Sequence, residues 1–187
     1  SRKVEQAAVV MAFRGINMND PRRWALELTN IVFGDGWLSR LMKEIREERG
    51  WAYGIGSDVD MFSDAGCVLI GAGLPKNKLN EAVELITEIS LGLSGGNKWR
   101  ITEKEVETAK DTFKGRLALS FDRPEEVLGS ALEDTTFREK IYSPEEMIEK
   151  IEKVTLKEVQ DIAKEIFKRE NLSISVVGNY KKLDYKV

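Results

Sequence analysis

The sequence predicts an α+β domain, a mostly antiparallel sheet with helices packed on one face. Three observations predict it. Segments of β character stand at the start, as an adjacent pair at 51–74, and at the end, with two helical stretches in the first gap and four or more in the second. No Pro/Gly/Ser-rich linker or low-complexity run divides them, so residues 1–187 read as a single domain. A closing strand left alone would strand its backbone N–H and C=O groups, so it must return to the sheet.

The elements follow in order. Residues 4–13, VEQAAVVMAF, are β-prone and apolar at their centre, and Arg14-Gly15 ends them. Asp20 is a good N-cap with Pro21 at the first helical position; Trp24, Leu28 and Ile31 then recur at helical spacing until Gly34. After the GDG turn at 34–36, a second helix is expected from about Trp37 to Arg49. Its apolar stripe is Trp37, Leu38, Leu41, Met42 and Ile45, and Gly50 follows at C′. Residues 51–61 and 66–74 read as a hairpin joined by FSDAG. Beyond Lys76, Leu79, Val83, Ile86 and Ile89 mark a helix that ends at LSGGNKW. Thr102 with Glu105 forms a capping box before Val106, Ala109, Phe113 and Leu117. Asp122 and Pro124 open the next helix, with Val127, Leu128, Ala131 and Leu132 inside it. Ser143-Pro144 with Glu146, and Thr155 with Glu158, start two more, and NLSISVVG at 171–178 is the final alternating strand.

Composition removes several function classes. The net charge of −3 gives no overall bias toward nucleic acid or an anionic membrane. No apolar run approaches the roughly 18 residues of a membrane span. No charged-then-apolar leader precedes the first strand, so no signal peptide is expected. The one cysteine, Cys67, forms no internal disulfide, which fits a reducing, cytoplasmic compartment; flanked by AG and VLI, it reads as a buried structural thiol. The histidine count is zero, which rules out Ser-His-Asp and Cys-His nucleophile systems and the HExxH and HxxEH zinc motifs. No zinc site held by this chain alone is expected.

One stretch carries a candidate site. In KEIREERGWAYG, residues 43–54, Arg46 lies in the last helical turn and Tyr53 lies beyond Gly50. A sharp turn at Gly50 folds back the separations of about 6 Å and about 10 Å on its two sides. Both side chains donate hydrogen bonds and suit a carbonyl or a developing oxyanion. The plainer reading is a solvated helix face, with Glu44 beside Arg46 and Glu48 and Lys43 beside Glu47. There Tyr53 shares strand parity with Ile55 and Val59 and is a half-buried core residue. The residues alone leave both open and favour the plainer one. Gly54, Gly56, Gly71 and Gly73 read as tight helix-on-sheet packing or as close approach of a ligand, the first being favoured. Asp58, Asp60 and Asp64 belong to a solvated strand and turn rather than a cation site, SGGNKWR at 94–100 lacks the context of a phosphate loop, and the Asn171-Leu-Ser sequon is uninformative.

LSRLMKEIREERGWAYGIGSD resembles the C-terminal-half signature of the pitrilysin/insulinase/mitochondrial processing peptidase family of zinc metallopeptidases. ITEKEVETAKDTFKG, FDRPEEVLGSAL and IEKVTLKEVQDIAKEIFKRENLSISVVGN resemble its later segments, so the likeness runs from Val4 to about Tyr180. The resemblance implies one half of a clamshell built from two homologous α+β domains or subunits. The other half would carry the inverted HxxEH motif, a distal glutamate ligand and the zinc. This half would supply Arg46 and Tyr53, which reach across the chamber to a peptide or unfolded-protein substrate. Having no histidine, the chain departs from the zinc-bearing pattern. An assembly subunit that binds peptides or partner proteins without proteolysis remains the alternative, and an unrelated ligand-binding α+β domain a third.

Overall fold

Alternate residues of the first strand face opposite worlds. Ala7, Val9, Met11 and Phe13 are buried, while Gln6, Ala8 and Val10 are open to water. That period of two defines a sheet covered on one side only. The computed structural model describes residues 6–96, 98–138, 140–178, 180 and 183. Its strands are β1 (Gln6–Arg14), β2 (Ile55–Met61), β3 (Gly66–Pro75) and β4 (Leu172–Val177), in the order β2-β3-β1-β4 with every pairing antiparallel. Val4 and Glu5, expected to open the first strand, lie outside the described residues, as does Asn97 of the LSGGNKW loop. The closing strand returns to pair with the first, Met11 opposite Ile174, because backbone groups need partners.

Helices α1 (Arg23–Phe33), α2 (Leu79–Gly92), α3 (Glu103–Phe121), α4 (Pro124–Phe137), α5 (Pro144–Lys153) and α6 (Leu156–Ile166) complete the domain. Helix α1 packs on α3, α5 and α6 and against β2, and α2 lies along β3. Phe167, just past α6, meets Phe13 and Phe33 edge-on at 5.0 Å each, tying the sheet to α1. Three helices start at capping boxes, with Thr102, Ser143 and Thr155 each accepting from a glutamate N–H three residues on. The first helix starts later than its sequence suggests. Asp20 accepts from the Arg22 N–H at 2.8 Å in a turn, and the helix proper begins at Arg23.

The largest departure is the second helix. Instead of an α-helix over 37–49, Trp37 and Leu38 sit in a turn, and Met42–Glu47 is a π-turn in which the Glu48 N–H reaches the Lys43 carbonyl at 2.9 Å. The wider turn re-pairs the charges. Arg49 engages Glu44, five residues back, at 2.9 Å, so neither expected pairing, Glu44 with Arg46 or Lys43 with Glu47, is the one formed. Leu41 and Ile45 are fully buried, but Trp37 and Leu38 are exposed at 67% and 84%. Gly50, at φ +61°, ends the element as a C′ glycine does.

Two smaller expectations are corrected. Gly71 lies on the uncovered face of the sheet, and a Cβ built there or at Gly54 meets nothing within 4 Å. Helix-on-sheet packing therefore does not explain these glycines. Cys67 lies on the same outer face of β3 and is only half-buried; partial burial and then the nearby Asp60 push its thiol pKa up.

Candidate functional site

The π-turn and Gly50 together aim Arg46 and Tyr53 at one point. After Gly50 the chain does not enter a strand at once: Tyr53 lies in a bend, and pairing starts only at Ile55. Strand parity therefore says nothing about Tyr53, which is 85% exposed rather than a half-buried core residue. The Arg46 guanidinium carbon sits 5.7 Å from the Tyr53 ring centroid and 4.7 Å from that of Trp37. A guanidinium N–H points to the Met42 sulfur at 3.7 Å. Among the described residues Arg46 has no carboxylate partner and the Tyr53 hydroxyl has no hydrogen-bond partner. Two aromatic faces and a thioether thus hold the guanidinium with soft contacts. Its strong N–H donors remain for an incoming oxygen, which is the chemistry of carbonyl or oxyanion recognition.

The turn that carries Trp37 is built from glycine and charge. Gly36 has φ +115°, where L side chains are strained. A Cβ at Gly34 would lie 2.3 Å from the Ser57 hydroxyl and 2.8 Å from a Leu41 methyl. Arg40 then clamps the segment to α3 by forking onto Glu105 at 2.8 and 2.7 Å. Burial acts to raise the Glu105 carboxyl pKa, but the Arg40 fork and the Thr102 cap outweigh it and hold it below the usual range. Sequence reading caught Arg46 and Tyr53 but missed Trp37, because its spacing matched the apolar stripe of a regular helix.

A second arginine–aromatic cluster was also missed. Arg23, only 5% exposed, lies 4.2 Å from the Trp24 ring centroid and 4.9 Å from that of Tyr142. One of its Nη atoms, and the Nε of neighbouring Arg138, have no hydrogen-bond partner among the described residues. Burial and then the charge of Arg138 lower the Arg23 pKa. One turn along, Glu27 keeps some accessible surface yet is packed with protein on nearly all sides; burial pushes its carboxyl up to about 7, against the pull of Arg23.

The donor set does not fit a metal. The chain has no histidine, and among the described residues no group of three Cys, Asp or Glu side chains converges as a metal cluster; Asp58 is simply exposed.

Fold and site together define a helix-backed antiparallel domain that offers hydrogen-bond donors and lacks metal ligands. The profile described as "Peptidase M16 inactive domain" matches residues 1–113, more than half of the chain, and the chain belongs to that family, as its inactive, C-terminal-type domain. An uncharacterized zinc protease of Mycobacterium leprae is 27% identical over 179 residues, covering 96% of this chain and 39% of that protein. The uncharacterized zinc protease YmxG of Bacillus subtilis is 28% identical over 177 residues, covering 95% of this chain and 42% of that protein. The chain thus spans about two fifths of the length of the curated relatives it matches. The crystal structure of a peptidase M16 inactive domain from Pseudomonas fluorescens superposes with a TM-score of 0.84 at 21% identity, over 96% of this chain and 43% of that one; it shares the fold.

Proposed function

We propose that this domain forms the non-metal wall of a zinc metalloendopeptidase site, in which Arg46 and Tyr53 hold the scissile carbonyl of a bound peptide. The observation that carries the reading is the pair itself: an exposed phenol and a guanidinium without a carboxylate partner, converging at the corner between the π-turn and β2. As the carbonyl oxygen gains charge on attack, both groups hydrogen-bond more strongly to it than to the ground state, which lowers the barrier. The low net charge and the main-chain character of the target fit a peptide or unfolded protein. Zinc finds no ligands here, so the reading assigns it to a homologous domain or subunit, consistent with relatives that are named zinc proteases and extend well beyond this chain. Loss of one such donor typically costs about 10²–10³ in rate. The test combines the chain with its zinc-bearing half and follows peptide hydrolysis. An Arg46→Ala, Tyr53→Phe double variant should lose at least that factor, and near-normal turnover would sink the assignment.

A further inference from the structure

A cleft of about 420 Å³ opens beside the Arg46 site, within the size range of ligand pockets. It is lined by Ile31 and Val32 of α1, Ala109 and Thr112 of α3, and Trp37 and Leu38 of the intervening turn. Most of its charged lining groups are already engaged: Arg116 pairs with Asp35, and Glu105 with Arg40. Lys104 is exposed to solvent. A polar side chain entering this space would give up water and gain few free partners, whereas an apolar one gains by burial. The rim is unusual in its own right. Trp37 and Leu38, adjacent in sequence, are both held in water by a turn that needs glycine at position 36.

Trp37 connects this cleft to the candidate site, since the same ring lines the cleft and seats the Arg46 guanidinium at 4.7 Å. We propose that the cleft takes one bulky apolar side chain, aromatic or large aliphatic, of the peptide whose main chain lies on Arg46 and Tyr53; this rests on the function proposed above. An extended peptide advances about 3.3 Å per residue and points alternate side chains to opposite sides. A carbonyl at Arg46 therefore places the side chain of the same or the adjacent residue at the mouth beside Trp37. The recognised class is an extended peptide with an uncharged bulky residue at that position.

The experiment is an NMR-monitored titration of the 187-residue chain with blocked tripeptides, N-acetyl-Ala-Phe-Ala-amide and its all-alanine counterpart. Burial of one phenyl group predicts that the Phe peptide binds about tenfold or more tighter, with shifts at the Trp37 indole, Ala109 and Thr112. Trp37→Ala removes a wall and Thr112→Phe fills the space from a half-buried helix position; each should collapse the Phe/Ala ratio toward one. Arg46→Ala should weaken both peptides alike and leave the ratio intact, so failure of the cleft and failure of the parent reading are distinguishable. Equal affinities for the two peptides, no binding of the Phe peptide up to its solubility limit, or a preference that survives both Trp37→Ala and Thr112→Phe would overturn the proposal.

Discussion

Arg23 and Arg46 each lie against one tryptophan and one tyrosine, at 4.2 and 4.9 Å in the first case and 4.7 and 5.7 Å in the second. Around Arg23 the helices close completely. Its charge is buried with an unpartnered Nη and a lowered pKa, and its work is to hold α1 against the 138–142 segment. Around Arg46 nothing closes, and both aromatic rings are mostly in water. The local chemistry is the same, and solvent access decides its meaning. A buried cage converts an arginine into a structural cost that neighbours must offset, while an open cage leaves its donors free for a ligand at little cost to folding.

The predictions press on that contrast. The largest effect is expected from Arg46→Ala with Tyr53→Phe, a fall of 10²–10³ or more in peptide hydrolysis by the assembled enzyme. Stability, read by urea denaturation, should change by no more than about 0.5 kcal/mol, as for ordinary surface substitutions. A double variant that is active or badly destabilised breaks the comparison. Next, Arg23→Ala should cost about 2–4 kcal/mol, because it removes a buried side chain and leaves Glu27 and Asp134 without its charge. Arg23→Met, which keeps volume, should cost much less; equal losses would mean that charge rather than packing dominates.

Glu27→Gln sharpens the contrast through pH. The folded pKa of about 7 lies above the ordinary value of 4.5. The wild-type carboxyl therefore imposes no penalty below about pH 4.5 and a growing one as pH rises through 7. Because part of Glu27 is still accessible, the glutamine variant should be more stable by about 1–2 kcal/mol at pH 8 and unchanged at pH 4. A gain of equal size at both values excludes protonation as the cause. The smallest effect concerns the anchor of the open cage. Glu105→Ala loses a cap and the Arg40 fork, worth roughly 1–2 kcal/mol at pH 7. The folded pKa of Glu105 is depressed, so this stability is present above about pH 4.5 and fades as pH falls through the lower folded value. A thermal-melt series across pH 2–7 of both proteins reads it directly.

Much of the fold was legible in the sequence because local signals agreed with the global pattern. The three capping boxes, the FSDAG connection and the alternating strand 171–178 each name their own structure. The region around 37–55 was not legible, for two physical reasons. A π-turn preserves the burial of Leu41 and Ile45 while breaking the 3.6-residue spacing on which the stripe rests, so Trp37 was counted as core. The bend at Tyr53 delays strand pairing to Ile55, so period-two reasoning was applied to a residue outside any strand. Arg46 and Tyr53 were named from residue chemistry and family likeness. Trp37, Arg23 and Glu27 were not named, because their surroundings come from segments distant in sequence.

The π-turn at Met42–Glu47 also sets a rule about length. It packs an additional residue into one coil, and that residue lets Ile45 reach the interior while Arg46 stands over Trp37. Excising any one position from 42–47 would let the coil relax to ordinary pitch and turn everything after it by ~100° about the axis. Ile45 or Arg46 would then keep its station, but never both. The segment can vary in side chains far more freely than in its number of residues, and insertions or deletions there should be rarer than substitutions.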